Sequence, residues 1–178
     1  MNGPFYIDKI TACIEEVTTG RIFETEMLPV NKADIKNVLK KNGWNFSWKN
    51  FLKFPARQVY KLVIKNDTRR VIQGLISFEI REDFIEMHHI ENAPHNYGSA
   101  KKFAGVCANM VAFVCKLSFE LNFDGFVAFT AKTILVDHYA QTLGAKLIYP
   151  PQRMAIFPDS ARILVNSYYK NYFNAEEE

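Results

Sequence analysis

Residues 98–115 read GSAKKFAGVCANMVAFVC, and this stretch determines how the middle of the chain folds. Apolar side chains recur through it with the i, i+3, i+4 and i+7 spacing of an amphipathic helix. We predict a long helix that follows a loop at 92–100 and ends near Asn122. The predicted buried face consists of Phe103, Val106, Cys107, Met110, Phe113, Val114, Leu117 and Leu121.

The start of this predicted helix is small and basic. A helix N-terminus presents unpaired N–H groups and a partial positive charge, so it can hold a phosphate if the side chains there are small. The small residues are Ala104, Gly105, Cys107 and Ala108. Lys101 and Lys102 add positive charge beside them. A second interpretation remains open, in which Gly105 only permits close helix packing and both lysines are solvated.

Length and composition indicate one globular domain over residues 1–178. The chain is 48% hydrophobic and 14% aromatic, which is typical of a packed core. Its net charge of +3 permits an anionic ligand but is too small to indicate nucleic acid. We expect a cytoplasmic protein without membrane contact, because we find neither a secretory signal nor an apolar run long enough to span a bilayer.

The three cysteines, Cys13, Cys107 and Cys115, do not have zinc-ligand spacing. Two of them lie within the apolar helical pattern. We therefore expect reduced thiols of a cytosolic protein.

The remaining elements predict a mixed sheet covered by helices. Residues 57–65, 70–80 and 83–91 alternate between apolar and polar side chains, which indicates three antiparallel strands. The long helix then leads to a strand at 126–130, as in a right-handed crossover between parallel strands. The other predicted elements are a strand pair within 5–29, a helical region at 30–56 capped by Asn31, a helix at 131–145 ending at Gly144, strands at 146–149 and 153–157, and a C-terminal helix and frayed tail at 158–178.

We therefore assign the α/β (α+β mixed) class, with a central mixed, mostly antiparallel sheet flanked by helices. This order of elements resembles the GNAT superfamily of acyl-CoA-dependent N-acetyltransferases. The family's motif at the helix start is Arg or Gln, two residues, Gly, one residue, then Gly or Ala. Lys102 to Cys107, KFAGVC, has that form with Lys and Cys as departures. Tyr139 to Ala145, YAQTLGA, is similar to the tyrosine and glycine of the family's next helix. The resemblance covers residues 57–157 and is clearest over 98–145, the expected acyl-CoA-binding and catalytic core.

The resemblance implies acetyl-CoA as co-substrate and assigns roles to particular residues. Backbone N–H groups of the helix start would hold the pyrophosphate, and Lys101 or Lys102 would pair with its oxygens. The backbone N–H near Ile90 would polarise the thioester carbonyl, and Tyr139 would donate a proton to the departing thiolate. The helix-start residues are Phe103, Ala104, Gly105, Val106, Cys107 and Ala108. Without the resemblance, Tyr139 reads as a helix tyrosine packed on the sheet.

Two further positions follow from the predicted strands. Lys132 and Thr133 come directly after the strand at 126–130, where the carboxyl end of a parallel strand opens on a ligand crevice. Thr133 could equally be a plain helix cap. Glu91 is the first candidate for the base that takes a proton from the amine. His89 lies on the same strand face by the two-residue period, opposite to His88. Ordinary strand or turn roles remain open for each of them.

A metal site at His88, His89, Glu91 and His95 lacks evident further ligands, so we expect none. Three functions are therefore compared. The first is direct transfer of acetyl from acetyl-CoA to an amine on a small molecule or protein. The second is a non-catalytic acyl-CoA-binding or regulatory domain, which the departures at Lys102 and Cys107 favour. The third is nucleic-acid binding by the basic, aromatic residues 44–57. A homodimer is compatible with the resemblance.

Overall fold

The computed structural model describes residues 6–8 and 13–174. Residues 5 and 9–12 of the predicted strand pair, and the predicted frayed tail at 175–178, lie outside the described residues. The strands in chain order are β1 (Ile14–Glu16), β2 (Ile22–Phe23), β3 (Thr25–Pro29), β4 (Arg57–Ile64), β5 (Gly74–Ile80), β6 (Ile85–Asn92), β7 (Phe103–Ala104), β8 (Val127–Thr130), β9 (Lys146–Tyr149) and β10 (Arg153–Ile156). The helices are α1 (Lys32–Ile35), α2 (Trp48–Phe51), α3 (Val106–Glu120), α4 (Val136–Leu143) and α5 (Pro158–Tyr168).

Within the described residues, seven strands form one sheet in the order β3-β4-β5-β6-β8-β10-β9. Neighbouring strands run antiparallel except β6 and β8, which are parallel and are connected through α3. This confirms the predicted fold class and the predicted crossover. β5 begins at Gly74, so the strand predicted at 70–80 is four residues too long at its start.

A smaller sheet corrects the predicted start of the long helix. Phe103 and Ala104 form β7, which pairs antiparallel with Glu16 and Glu15 of β1. The chain is therefore extended where we predicted helix, and α3 begins at Val106 after Gly105, whose φ of +83° is left-handed. Such a backbone conformation favours glycine because it lacks a Cβ.

The other helices follow their sequence signals. Asn31 accepts a hydrogen bond from the Asp34 N–H, and the Asp34 side chain accepts from the Asn31 N–H, which completes a capping box for α1. Gly144 ends α4 in the left-handed conformation, as predicted. Helix α1 stops at Ile35, so only part of the helical region predicted at 30–56 is helix.

Two hydrophobic cores lie on opposite faces of the sheet, because neighbouring residues of one strand point to opposite sides. On β5, Ile76 lies in the larger core with α3, α4 and α5. Leu75 lies in the smaller core. The smaller core also holds Trp44 and Trp48, which belong to residues 42–56 between the 3₁₀ turn after α1 and β4. We call residues 42–56 the flap.

A β-bulge at His88 divides β6 into two parts. Phe78 pairs with Met87 while Ser77 pairs with His89, so His88 is the extra residue. Ile85 and Met87 before the bulge lie in the larger core, and so does Ile90 after it. Odd-numbered residues of β6 therefore face α3 before the bulge, and even-numbered residues face α3 after it.

No helix in residues 6–8 and 13–174 is long and apolar enough to cross a membrane. Cys13, Cys107 and Cys115 form no disulfide in the part of the chain that the structure describes, and Cys107 and Cys115 are buried.

Candidate functional site

A gap opens in the sheet where β6 and β8 diverge. Their pairing ends at Met87 and Phe129. β6 continues to Asn92, whereas β8 ends at Thr130. The backbone of β6 beyond the bulge therefore has no β8 partner, and the start of α3 lies above this gap. We call this gap the splay.

The first turn of α3 presents the free N–H groups of a helix start. The Asn109 N–H donates to the Gly105 carbonyl, which is the first helical hydrogen bond. By helix geometry, the N–H groups of Val106, Cys107 and Ala108 point out of the N-terminal end. Phe103 and Ala104 do not belong to this set, because they lie in β7. The Phe103 N–H donates instead to Asn96 Oδ1, at 3.1 Å.

A carboxylate of the same chain already lies at this helix start. Asp8 Oδ1 accepts a hydrogen bond from the Gly105 N–H at 3.0 Å, and Asp8 Oδ2 lies 2.7 Å from Lys101 Nζ. The geometry shows that Lys101 and the turn at Gly105 converge on one anion. Sequence reasoning missed Asp8, which is 93 residues away from Lys101 along the chain.

The residues before Asp8 cross from α3 to α4. The Ile7 N–H donates to His138 Nε2 at 3.0 Å, and Ile7 is buried. The Tyr6 ring stacks on the His138 ring with centroids 4.0 Å apart and an interplanar angle of 11°. We call residues 6–8 the crossing segment. His138 therefore has a structural role, because it holds this segment against α4.

The crossing segment narrows the adjoining cleft. The cleft has a volume of about 240 Å³, and its lining includes Asp8, Asn92, Lys101 and Cys107. Ligand pockets usually measure about 300–1,000 Å³. Removal of the crossing segment would enlarge the cleft toward α4.

Lys101 and Lys102 lie on opposite sides of the chain. Lys101 reaches Asp8, whereas Lys102 lies with its Nζ 5.3 Å from the Phe103 ring centroid. Lys102 lines a different cavity, together with Asp67 and His95. Of the two lysines, Lys101 is therefore the one at the helix start.

Tyr139 is buried between α4 and the sheet. Its ring contacts the Phe129 ring edge to face, with centroids 5.6 Å apart. Burial, with a smaller contribution from Cys107, raises the pKa of the Tyr139 phenol. Burial likewise raises the pKa of the Cys107 thiol, whose sulfur lies 3.0 Å from Asn92 Oδ1. Both groups are therefore protonated at neutral pH.

Glu91 connects β6 to the flap. Its Oε1 accepts from the Asn45 N–H at 2.5 Å, and its Oε2 accepts from Trp48 Nε1 at 2.7 Å and from the Phe46 N–H at 3.3 Å. The side chain is fully buried. These hydrogen bonds occupy both carboxylate oxygens, so Glu91 holds the flap on the sheet.

His89 faces the aromatic residues of the flap. Its ring stacks on Phe51 with centroids 4.3 Å apart, and the Phe46 edge lies 5.0 Å away. Nδ1 is buried without a hydrogen-bond partner among the described residues. Burial, followed by the Arg57 guanidinium, lowers the pKa of His89 to about 4. His89 is therefore neutral at pH 7.

The bulge also corrects the predicted orientation of His88. Burial and then Arg57 lower the pKa of His88 too, and its Nε2 lies 3.3 Å from Glu79. Both histidines are thus close to Arg57, whereas strict alternation predicted opposite faces. Among the described residues, no three His, Cys, Asp or Glu side chains are grouped to hold a metal ion.

The remaining candidates lie around the splay. Ile90 is buried on the side of α3. Lys132 and Thr133 are exposed and follow β8 into a 3₁₀ turn, where the Lys132 carbonyl accepts from the Leu135 N–H at 2.8 Å. The Thr133 hydroxyl accepts from Gln152 Nε2 at 3.0 Å. Thr133 does not cap the turn through its side chain.

Of the aromatic residues at 44–57, Phe54 is exposed, Phe46 and Phe51 are half-buried, and both tryptophans are buried. Trp48 is 0% exposed and Trp44 is 7% exposed, so neither ring is available to stack on a nucleic-acid base. This removes the main structural basis of the nucleic-acid hypothesis.

Comparison with the structures of known proteins identifies the fold. No protein-family sequence model and no curated protein sequence matches the chain. Solved structures do match. The spermidine/spermine N-acetyltransferase SpeG from Vibrio cholerae aligns with a TM-score of 0.54 and 14% identity, over 79% of this chain and 97% of that chain. The ribosomal-protein-S18-alanine N-acetyltransferase from Escherichia coli aligns with a TM-score of 0.53 and 10% identity, over 74% and 92%.

A dodecameric structure of the Vibrio cholerae spermidine N-acetyltransferase aligns with a TM-score of 0.51 and 13% identity, over 76% of this chain and 95% of that chain. At such identities the similarity establishes the fold. The chain has the fold of the GNAT-type N-acetyltransferases, as the sequence resemblance predicted.

Proposed function

We propose that the protein transfers an acetyl group from acetyl-CoA to an amine. The observation that carries this proposal is the convergence of Lys101 and the Gly105 N–H on one anion beside the splay between β6 and β8. A carboxylate and a phosphate present similar oxygen acceptors, so the Asp8 carboxylate stands in for a phosphate oxygen pair. The N–H groups of Val106, Cys107 and Ala108 complete this anion-binding site. We call the site formed by Lys101 and the N–H groups of residues 105–108 the anion seat.

In this proposal the pantetheine arm lies in the splay and the thioester carbonyl faces the backbone near Ile90. The amine nitrogen attacks that carbonyl carbon, a C–N bond forms, and the C–S bond breaks. Tyr139, protonated because of its raised pKa, donates a proton to the departing thiolate. Lys132 and Thr133 lie at the mouth of the splay, beside the acyl donor.

We assign the proton acceptor to His89 rather than to Glu91. Glu91 uses both carboxylate oxygens to hold the flap. His89 is neutral, and its buried Nδ1 has no partner in the described part of the chain. Its low pKa makes it a weak base, so we expect the amine to lose its ammonium proton to solvent before attack. As the C–N bond forms, the nitrogen gives up one further proton, which His89 accepts. Tyr139 regains from solvent the proton that it gave to the thiolate, and His89 releases its proton to solvent.

A second candidate function is acyl-CoA binding without catalysis. The crossing segment favours it, because Asp8 and Tyr6 lie between the anion seat on α3 and α4, the helix that carries the proposed proton donor Tyr139. Binding must then displace Asp8 from the anion seat. The two candidates share the seat and differ in whether acetyl transfer follows.

The first test is acetyl-CoA binding by isothermal titration calorimetry with two matched variants. Lys101→Gln should weaken binding about tenfold, because a charge-assisted hydrogen bond to a phosphate is lost. Lys102→Gln changes the same residue type one position away and should leave binding within about twofold. Gly105 is a poor target, since any side chain is strained at its φ of +83°.

The second test is release of free CoA thiol in the presence of amine acceptors, among them spermidine and peptides with a free N-terminus. Thiol release that depends on the amine supports the enzyme. Binding without any thiol release supports the non-catalytic domain. Absence of binding at millimolar acetyl-CoA, or equal losses for both lysine variants, contradicts the anion seat.

A further inference from the structure

A cavity unrelated to the splay lies between α1 and α2. Its volume is about 590 Å³, more than twice that of the cleft at the crossing segment. Apolar side chains form its floor, including Ile35 and Leu52. Four lysines stand around it: Lys32, Lys36, Lys49 and Lys53.

The charges of these four lysines are not compensated by the part of the chain that the structure describes. None of their ammonium groups has an ion-pair or hydrogen-bond partner there. Residues 32–53 contain six lysines and a single acidic residue, Asp34. Asp34 is already paired with Lys61 of β4. The surface is therefore strongly positive around an apolar hollow, although the net charge of the whole chain is only +3.

The cavity walls are held in place by contacts that do not involve a ligand. Ile35 lies in the smaller core, and the capping box of Asn31 and Asp34 fixes the start of α1. Glu91 fixes α2 through Trp48 Nε1. A preformed cavity loses less conformational entropy on binding than one that must be assembled.

We propose that this cavity binds an acidic segment of a partner polypeptide. One apolar side chain of the segment enters the cavity, and carboxylates on both sides of it pair with the lysines of α1 and α2. This proposal does not depend on acetyl transfer or on acetyl-CoA binding.

The arrangement favours an acidic polypeptide over other anionic ligands. A fatty acid has one carboxylate, which leaves most of the four lysines without a partner. Nucleic acid offers phosphates but no aliphatic side chain for the hollow, and the two tryptophans that could stack on bases are buried. An acidic segment with one apolar residue supplies carboxylates that pair with the lysines and an apolar side chain that packs on the floor of the cavity.

The test uses fluorescence anisotropy with labelled peptides. The first peptide has one leucine between two pairs of glutamates, and the second has serine in place of leucine. We expect the leucine peptide to bind at low salt and the serine peptide to bind at least about fivefold more weakly. Both affinities should fall as salt increases, because exposed charges are screened.

Two protein variants distinguish the effect of where the lysines lie from the effect of the overall charge of the protein. Lys36→Glu with Lys49→Glu should weaken binding of the leucine peptide about tenfold, since two attractions become repulsions. Lys40→Glu with Lys41→Glu changes the charge equally, but these residues lie outside the cavity lining, so the loss should stay within about threefold. Ala33→Phe fills the cavity from an exposed position and should also weaken binding.

Several outcomes would overturn the proposal. These are equal binding of the two peptides, equal losses for the two charge variants, or unchanged binding by a folded Ala33→Phe protein. Tighter binding of a duplex oligonucleotide or of vesicles of anionic lipid than of the leucine peptide would also overturn it. Thermal unfolding of each variant confirms that the folded protein is being compared.

Discussion

At the scale of single residues, Asp8 links the fold to the proposed site. It accepts from the Gly105 N–H and pairs with Lys101, which are the groups that we propose for a phosphate. The same contacts that stabilise the crossing segment would therefore compete with the proposed ligand. In that proposal, Asp8 is an internal competitor of the phosphate.

We predict that Asp8→Asn strengthens acetyl-CoA binding about tenfold, which corresponds to ~1.4 kcal/mol. Asparagine keeps an oxygen that accepts from the Gly105 N–H, but it removes the negative charge that opposes the phosphates. Titration calorimetry measures the change, with Asp83→Asn at an exposed position as control. Weaker binding by Asp8→Asn would show that the carboxylate does not compete.

His89 predicts a pH dependence of stability. Its pKa is lowered from 6.5 to about 4 in the folded protein, so the unfolded chain binds a proton that the folded chain does not. The contribution is fully present above about pH 6.5 and is lost as the pH falls toward 4. His89→Phe keeps a ring against Phe51 and removes the titration.

We therefore expect the melting temperature of His89→Phe to fall less steeply between pH 6.5 and 4 than that of the wild type. Burial also lowers the pKa values of His88, His95 and His138, so part of the slope should remain. Parallel curves for the two proteins would show that His89 does not titrate differently on folding. Differential scanning fluorimetry across this range is sufficient.

At the scale of elements, the flap depends on one carboxylate. Glu91→Gln replaces an oxygen by an NH₂ group that cannot accept from the Asn45 N–H or from Trp48 Nε1. We predict a loss of about 2–4 kcal/mol in the free energy of unfolding, because buried donors lose their acceptor. Urea denaturation measures this loss, and the exposed Glu82→Gln should change stability by under ~0.5 kcal/mol.

Several elements could be predicted from the sequence because their signals are local. These signals are the helical spacing from Val106 to Glu120, the Asn31 cap of α1 and Gly144 at the C-terminal end of α4. Each signal depends on residues that are only a few positions apart. β7 could not be predicted, since it has two residues and pairs with a strand almost ninety positions earlier. The bulge at His88 also leaves the alternating pattern on either side intact, so the pattern does not reveal it.

The candidate site was predictable only in part for the same reason. The helix start and Tyr139 came from motif spacing. Asp8, by contrast, meets Gly105 across 97 residues of sequence. The three donors to Glu91 come from a segment more than forty residues earlier. A single sequence contains no local signal for such contacts.

At the scale of the whole molecule, one sheet separates two cores that share its strands. Both tryptophans lie in the smaller core, so intrinsic fluorescence reports the flap, whereas far-ultraviolet circular dichroism reports the whole sheet and its helices. We expect the two signals to change together on urea denaturation of the wild type, since the cores are coupled through β4 and β5. In Glu91→Gln the fluorescence change should come first. A fluorescence midpoint below that of dichroism in the wild type would show that the flap unfolds on its own.

The bulge at His88 determines which neighbour each side chain at the end of β6 faces. If the strand were straightened with all its residues kept, regular alternation would turn the Glu91 carboxylate toward α3 and Ile90 toward the flap. Deletion of His88 would also restore regular alternation, but it would leave residues 89–92 on their present sides, because the bulge already places His88 and His89 on the same side. A single-codon deletion at this position should therefore preserve the inner and outer surfaces of the site, whereas loss of the bulge without shortening of the strand would exchange them.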